Sequence, residues 1–113
     1  MHELSIAQNL LALCEKNAQE NNATKITKIH IKIGRLSGVE AHYLQSAFSV
    51  LQPESVCEDA ELVCHTQEVI VECDKCGFNG ELVKNEFICP QCKSTNLKVT
   101  DGEDMYLMRL EMR

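Results

Sequence analysis

A chain of 113 residues supports one modest hydrophobic core, and its 44% apolar and 25% charged fractions are those of a globular protein. Its 11 lysines and arginines against 17 aspartates and glutamates leave a formal charge of −6, which disfavours nucleic acid as a partner. No apolar run reaches the roughly 18 residues of a membrane span, and Met1-His2-Glu3-Leu4 lacks the basic region and cleavage site of a signal peptide, so a cytoplasmic protein with no membrane partner is expected.

Residues 4 to 20 place Leu4, Ala7, Leu10 or Leu11, Cys14 and Ala18 at three- and four-residue steps, which predicts a helix with one apolar stripe. Ser5 to Gln8 offers a capping box near its start, and Asn21-Asn22 ends it. From Lys25 to Gly34 the pattern alternates, with Ile29, Ile31 and Ile33 on one face and Lys28, His30 and Lys32 on the other. That is a half-buried strand, and His30 falls on its solvated side. Ser37 with Glu40 suggests a cap for a second helix that buries Leu44, Ala47, Phe48 and Leu51 before Pro53 stops it.

Glu61 to Glu72 alternates again, although its phase drifts near His65 to Glu68, which calls for a bulge or short break. Leu97 and Val99 suggest a short strand, Asp101-Gly102 a turn, and Met105 to Arg113 a last strand whose Tyr106, Met108, Leu110 and Met112 are expected to join the core. Since 61–72 and 104–113 enter and leave the intervening loop, the simplest topology pairs them antiparallel.

The loop carries the strongest chemical signal, Cys73-Asp74-Lys75-Cys76 and, 12 residues on, Cys89-Pro90-Gln91-Cys92. Each pair forms a knuckle aiming two sulfurs at one point, and Gly77 stands where the first turn needs freedom from Cβ constraints. Four thiolates suit zinc and leave no position open for a substrate water, so the role is structural. Iron is the rival, since Gly77 and Pro90 also suit rubredoxin, but the ribbon has only Phe78 and Phe87 as aromatics. Within 73–92, Lys75 and Lys84 face Asp74, Glu81 and Glu86, so no phosphate-tracking face exists there. The remaining Cys14, Cys57 and Cys64 are assigned no chemistry.

The expected architecture is therefore α+β: two helices on a three-stranded sheet with an inserted four-cysteine zinc ribbon. Its domains would be 1–72 plus 101–113, and the ribbon 73–100.

The terminus offers a second metal site. Met is usually removed only before small residues, so bulky His2 should keep Met1 and stand second behind a free α-amine. The amine and the His2 amide nitrogen close a five-membered chelate ring, and that nitrogen with imidazole Nδ1 closes a six-membered one. Such donors favour square-planar Ni(II) or Cu(II), with a fourth ligand from the Glu3 amide or carboxylate. An incomplete set suits an ion that is passed on.

Taken with Ile31-Lys32-Ile33-Gly34, the four cysteines and the tail Leu107 to Met112, the chain resembles the hydrogenase-maturation nickel metallochaperones of the HypA/HybF family. That resemblance implies a nickel site using His2 and its neighbours Met1 and Glu3, a structural zinc site, and no enzymatic activity. It also implies delivery of nickel to the hydrogenase large subunit with a nickel-handling GTPase, and in some bacteria work with urease accessory proteins. Glu40 matches a position often acidic in that family, as an outer ligand. Gly77 and Lys93 follow the knuckles where some members carry histidines, which argues against a histidine-switched zinc site. The competing readings are a rubredoxin-like iron electron carrier and a zinc-ribbon protein-interaction adaptor.

Overall fold

A computed structural model of the protein describes residues 2–82 and 86–113, and for His2 it describes the backbone only. The chain forms two compact units: Met1–Lys32, Val39–His65 and Tyr106–Arg113 make the first, Ile33–Gly38 and Thr66–Met105 the second.

The first helix, α1, spans His2–Glu20 and buries Ala7, Leu10, Cys14 and Ala18, the residues at three- and four-residue steps. Leu4 is 38% exposed, so the stripe begins a turn later than its pattern suggested. The helix starts before Ser5, which is therefore interior and forms no capping box. Its other end closes on Asn22, at φ 53°, where Asn22 N–H donates to Gln19 O (3.2 Å) and Ala23 N–H to Ala18 O (2.8 Å). This is a Schellman ending with asparagine in glycine's usual left-handed place.

The strand β1 is Ile26–Gly34, and helix α2, Ala41–Leu51, follows. Glu40 is the N-cap residue of α2, and its carboxylate accepts the His42 N–H at 2.9 Å. Leu44 and Phe48, one turn apart, are fully buried. Beyond the helix, the Gln52 amide donates to the carbonyls of Cys57 (2.8 Å) and Ala60 (2.9 Å), which fixes the return loop.

The strands β2 (Glu61–Gln67) and β6 (Met105–Met112) flank β1 in the order β2-β1-β6. The expected direct pairing of 61–72 with 104–113 is thus replaced by a central β1. Lys25 meets Asp59 (3.0 Å), Lys28 meets Glu61 (3.8 Å) and His30 meets His65 (3.2 Å), so partners advance together and β1 and β2 run parallel. A parallel pair needs a long crossover, and α2 supplies it. At the other edge Arg113 N–H donates to Lys25 O while Lys25 N–H donates to Arg113 O, so β6 is antiparallel to β1. As an edge strand β6 leaves Tyr106 and Met108 42% and 43% exposed, short of the core role expected for them.

The drift near residue 68 is a true break. Strand β3 (Ile70–Cys73) leaves the first sheet and centres a second one, ordered β4-β3-β5, with β4 at Asn79–Glu81 and β5 at Leu97–Asp101. Both pairings are antiparallel, with Val71 opposite Gly80 and Val99. Val69, Val71 and Leu82 are buried here with Phe78, Leu97 and Val99 packed against them, giving this unit an apolar cluster of its own. Two glycines allow its backbone to close: a Cβ on Gly34 would strike the carbonyl of Gly102. Gly102, at φ +103°, itself lies against Glu68 and Val69.

Candidate metal centre

Strand β3 ends in Cys73, and the chain turns at once into the first knuckle. Cys73 O accepts Gly77 N–H (3.0 Å) while Cys73 N–H donates to Phe78 O (2.8 Å). The second knuckle repeats the scheme: Cys89 O accepts Lys93 N–H (2.9 Å) and Cys89 N–H donates to Ser94 O (2.8 Å). Gly77 and Lys93 occupy matching positions at φ 75° and 63°. The sequence marked the glycine as conformationally required; the lysine takes the same left-handed backbone with a Cβ in place.

The two knuckles face each other. Sγ of Cys73 lies 3.6 Å from that of Cys92, and Sγ of Cys76 lies 3.6 Å from that of Cys89. All four sulfurs fall within 4.8 Å of one another, and among the described residues this is the single group of three or more such side chains with metal-holding geometry. Sulfurs about 2.3 Å from a tetrahedral zinc would sit about 3.8 Å apart, so the tetrad has the dimensions of a zinc site. Cys73 and Cys89 are buried, and Cys76 and Cys92 lie at the surface.

The turns also sort the thiols. Backbone N–H groups of Cys76 and Lys75 lower the Cys73 thiol. Burial pushes Cys89 up, but N–H donors from Cys92 and Gln91 outweigh it and hold this thiol at about 6. For Cys76 the Phe78 N–H favours the thiolate, yet burial and the neighbouring sulfurs push the thiol up to about 12. Cys92 is raised too, with burial and Cys73 overriding the Ser94 N–H. The backbone N–H donors therefore favour the thiolate at the first cysteine of each knuckle, and the second is shifted the other way.

Of the predicted nickel ligands, Met1 and the His2 side chain lie outside the described residues. The His2 backbone opens α1, and Glu3 sits in its first turn. The N–H groups of a first turn have no intrahelical acceptor. Glu40, the outer-ligand candidate, spends one carboxylate oxygen on its own helix cap.

Of the cysteines outside the tetrad, Cys14 and Cys57 are fully buried and Cys64 is half-buried. The interaction between the thiols of Cys14 and Cys57 raises Cys14 and lowers Cys57. Burial pushes up Cys64, which receives a long hydrogen bond from Gln45 (3.7 Å). His30 overturns its expectation: it is 8% exposed, with ring nitrogens 3.2 Å from His65 Nε2 and 2.8 Å from Glu111 Oε2. Alternation put His30 on a solvated face, and only the central position of β1 makes that face close over it.

A family model described as hydrogenase/urease nickel incorporation, metallochaperone, hypA matches residues 1–112. The chain is 44% identical over 112 residues to a hydrogenase maturation factor HypA of Shewanella sp. (strain MR-7), covering 99% of this chain and 95% of that one. It is 41% identical to the HypA of Campylobacter jejuni, with both chains covered in full. The solution structure of the nickel metallochaperone HypA from Helicobacter pylori matches with a TM-score of 0.72 at 36% identity, covering 97% of this chain and 96% of that one.

Fold and site together define a metallochaperone, a protein that handles a metal and catalyses no reaction. The chain belongs to the HypA family, the nickel metallochaperones and maturation factors of hydrogenase. A rubredoxin-like carrier and a zinc-ribbon adaptor are not favoured by these matches.

Proposed function

We propose that the chain carries Ni(II) at its N-terminus and keeps zinc in Cys73, Cys76, Cys89 and Cys92. The carrying observation is the closed tetrad: four cysteines fill a tetrahedral shell, so an ion that must be handed on belongs elsewhere. His2 supplies its amide and imidazole Nδ1, Met1 its α-amine, and Glu3 its amide or carboxylate. The start of α1 at His2 supports this, because first-turn amides are free of the helix's own bonds. Nickel binding would belong to 1–72 plus 101–113 and zinc to 73–100.

The nickel goes to the hydrogenase large subunit with a nickel-handling GTPase, in the cytoplasm, and in urease-producing hosts to urease through its accessory proteins. Among the described residues no helix is long and apolar enough to cross a membrane. The test is nickel titration of untagged protein, of His2→Ala and of protein with a retained N-terminal extension. Loss of binding in both altered forms supports the assignment, and full affinity with a blocked amine refutes it.

A further inference from the structure

The row His65, His30 and Glu111 crosses all three strands of the first sheet, and its hydrogens can be counted. A carboxylate only accepts, so the 2.8 Å contact with Glu111 places a hydrogen on His30 Nε2. Arg109 lies 3.4 Å from that nitrogen and 3.7 Å from Glu111; with its hydrogen in place Nε2 has no lone pair to accept from the guanidinium, whose charge therefore acts on the carboxylate. The hydrogen bond from His30, with Lys28 and Arg109 adding their charge, holds the Glu111 carboxyl below its ordinary range. His30 Nδ1 is then left facing His65 Nε2 across 3.2 Å.

These two rings meet head-on. Their centroids are 5.5 Å apart, which is the nitrogen separation plus about one ring radius at each end, and their planes differ by 18°. One hydrogen fits on that line. A metal does not, since two metal–nitrogen bonds along it would need about 4 Å.

We propose that His30, His65 and Glu111 form a single-proton clasp across the sheet, closed while the two imidazoles share one hydrogen and forced open when each ring carries its full complement. With both rings fully protonated, two N–H donors point at each other and the 3.2 Å contact becomes a repulsion. The surrounding charges set the balance. On β1, Lys28 and Lys32 flank His30 and oppose the added proton, while on β2 Glu61 engages Lys28 at 3.8 Å. On β6, Glu111 favours it and Arg109 opposes it. The clasp joins β1 to both of its neighbours, so its opening loosens the crossover pair β1 and β2. It stands independently of the nickel assignment.

The test is amide hydrogen exchange of β1 and β2 between about pH 7.5 and about pH 5, corrected for intrinsic rates, in zinc-loaded parent and His65→Phe. The parent should exchange roughly tenfold faster at the acid end, the equivalent of one lost hydrogen bond between the rings. His65→Phe keeps a ring without the facing nitrogen and should show equal protection at both ends. Nitrogen-15 imidazole spectra of the parent should show one hydrogen between His30 Nδ1 and His65 Nε2 at the upper pH. Unchanged protection in the parent, the same acid response in His65→Phe, or nickel-induced shifts of both rings in a His2→Ala background would each overturn the clasp.

Discussion

Cys73 and Cys92 stand 19 residues apart in sequence, yet their sulfurs lie 3.6 Å from each other. The second sheet produces that approach: β3 ends in Cys73 while β5 begins just after the second knuckle, with Cys73 opposite Leu97. Replacing Cys73 or Cys89 by Ala should therefore release zinc and unravel the knuckles, as zinc content and amide spectra would report. Resonances of α1 and α2 should keep their positions, because the first unit has its own buried residues.

Lys93 holds a left-handed backbone at the place where the other knuckle has Gly77. Lys93→Gly should thus stabilise the zinc-loaded second unit by about 1 kcal/mol, and Gly77→Ala should destabilise it by a similar amount. Thermal unfolding at fixed zinc measures both. Equal stability of Lys93→Gly and parent would show that this lysine's backbone carries no strain.

Gly34 and Gly102 predict a larger loss. A side chain at Gly34 would meet backbone rather than a flexible side chain, so Gly34→Ala should cost about 2 kcal/mol or more. Denaturant unfolding followed at Val69 and Val71 would detect it. A loss within about 0.5 kcal/mol, as for an ordinary surface change, would contradict the close approach.

Zinc uptake should strengthen as pH rises. The Cys89 thiol is held at about 6, while Cys76, raised to about 12, must lose its proton to solvent as the ion takes its place. The sign follows from that displacement: acid returns protons to the sulfurs and weakens binding, and alkali removes the competition. Competition with a chelator across pH should also show proton release on binding. Affinity independent of pH would contradict proton displacement by the metal.

Much of the fold was legible because its residues act locally. The step of Ala7, Leu10, Cys14 and Ala18 announces α1, and the two Cys-x-x-Cys spacings announce the knuckles. What sequence could not supply was strand order. Alternation says which residues share a face, not which strand lies between two others, so 61–72 was paired with 104–113 and His30 was left to solvent. The apolar cluster around Val71 was missed for the same reason, since Val69 and Val71 read as a continuation of β2. Glu40 was legible as part of a cap, but the choice between Ser37 and Glu40 as the capping residue depended on backbone geometry.

Metal analysis of untagged protein tests the central claim most directly, namely that one chain holds a fixed metal in its cysteines and an exchangeable one at its terminus. Protein loaded with both metals and then treated with a mild chelator should retain one zinc and lose one nickel. His2→Ala should bind zinc as before and no nickel. Iron in the tetrad, with its visible charge-transfer bands, or a nickel that stays bound in His2→Ala, would contradict the account.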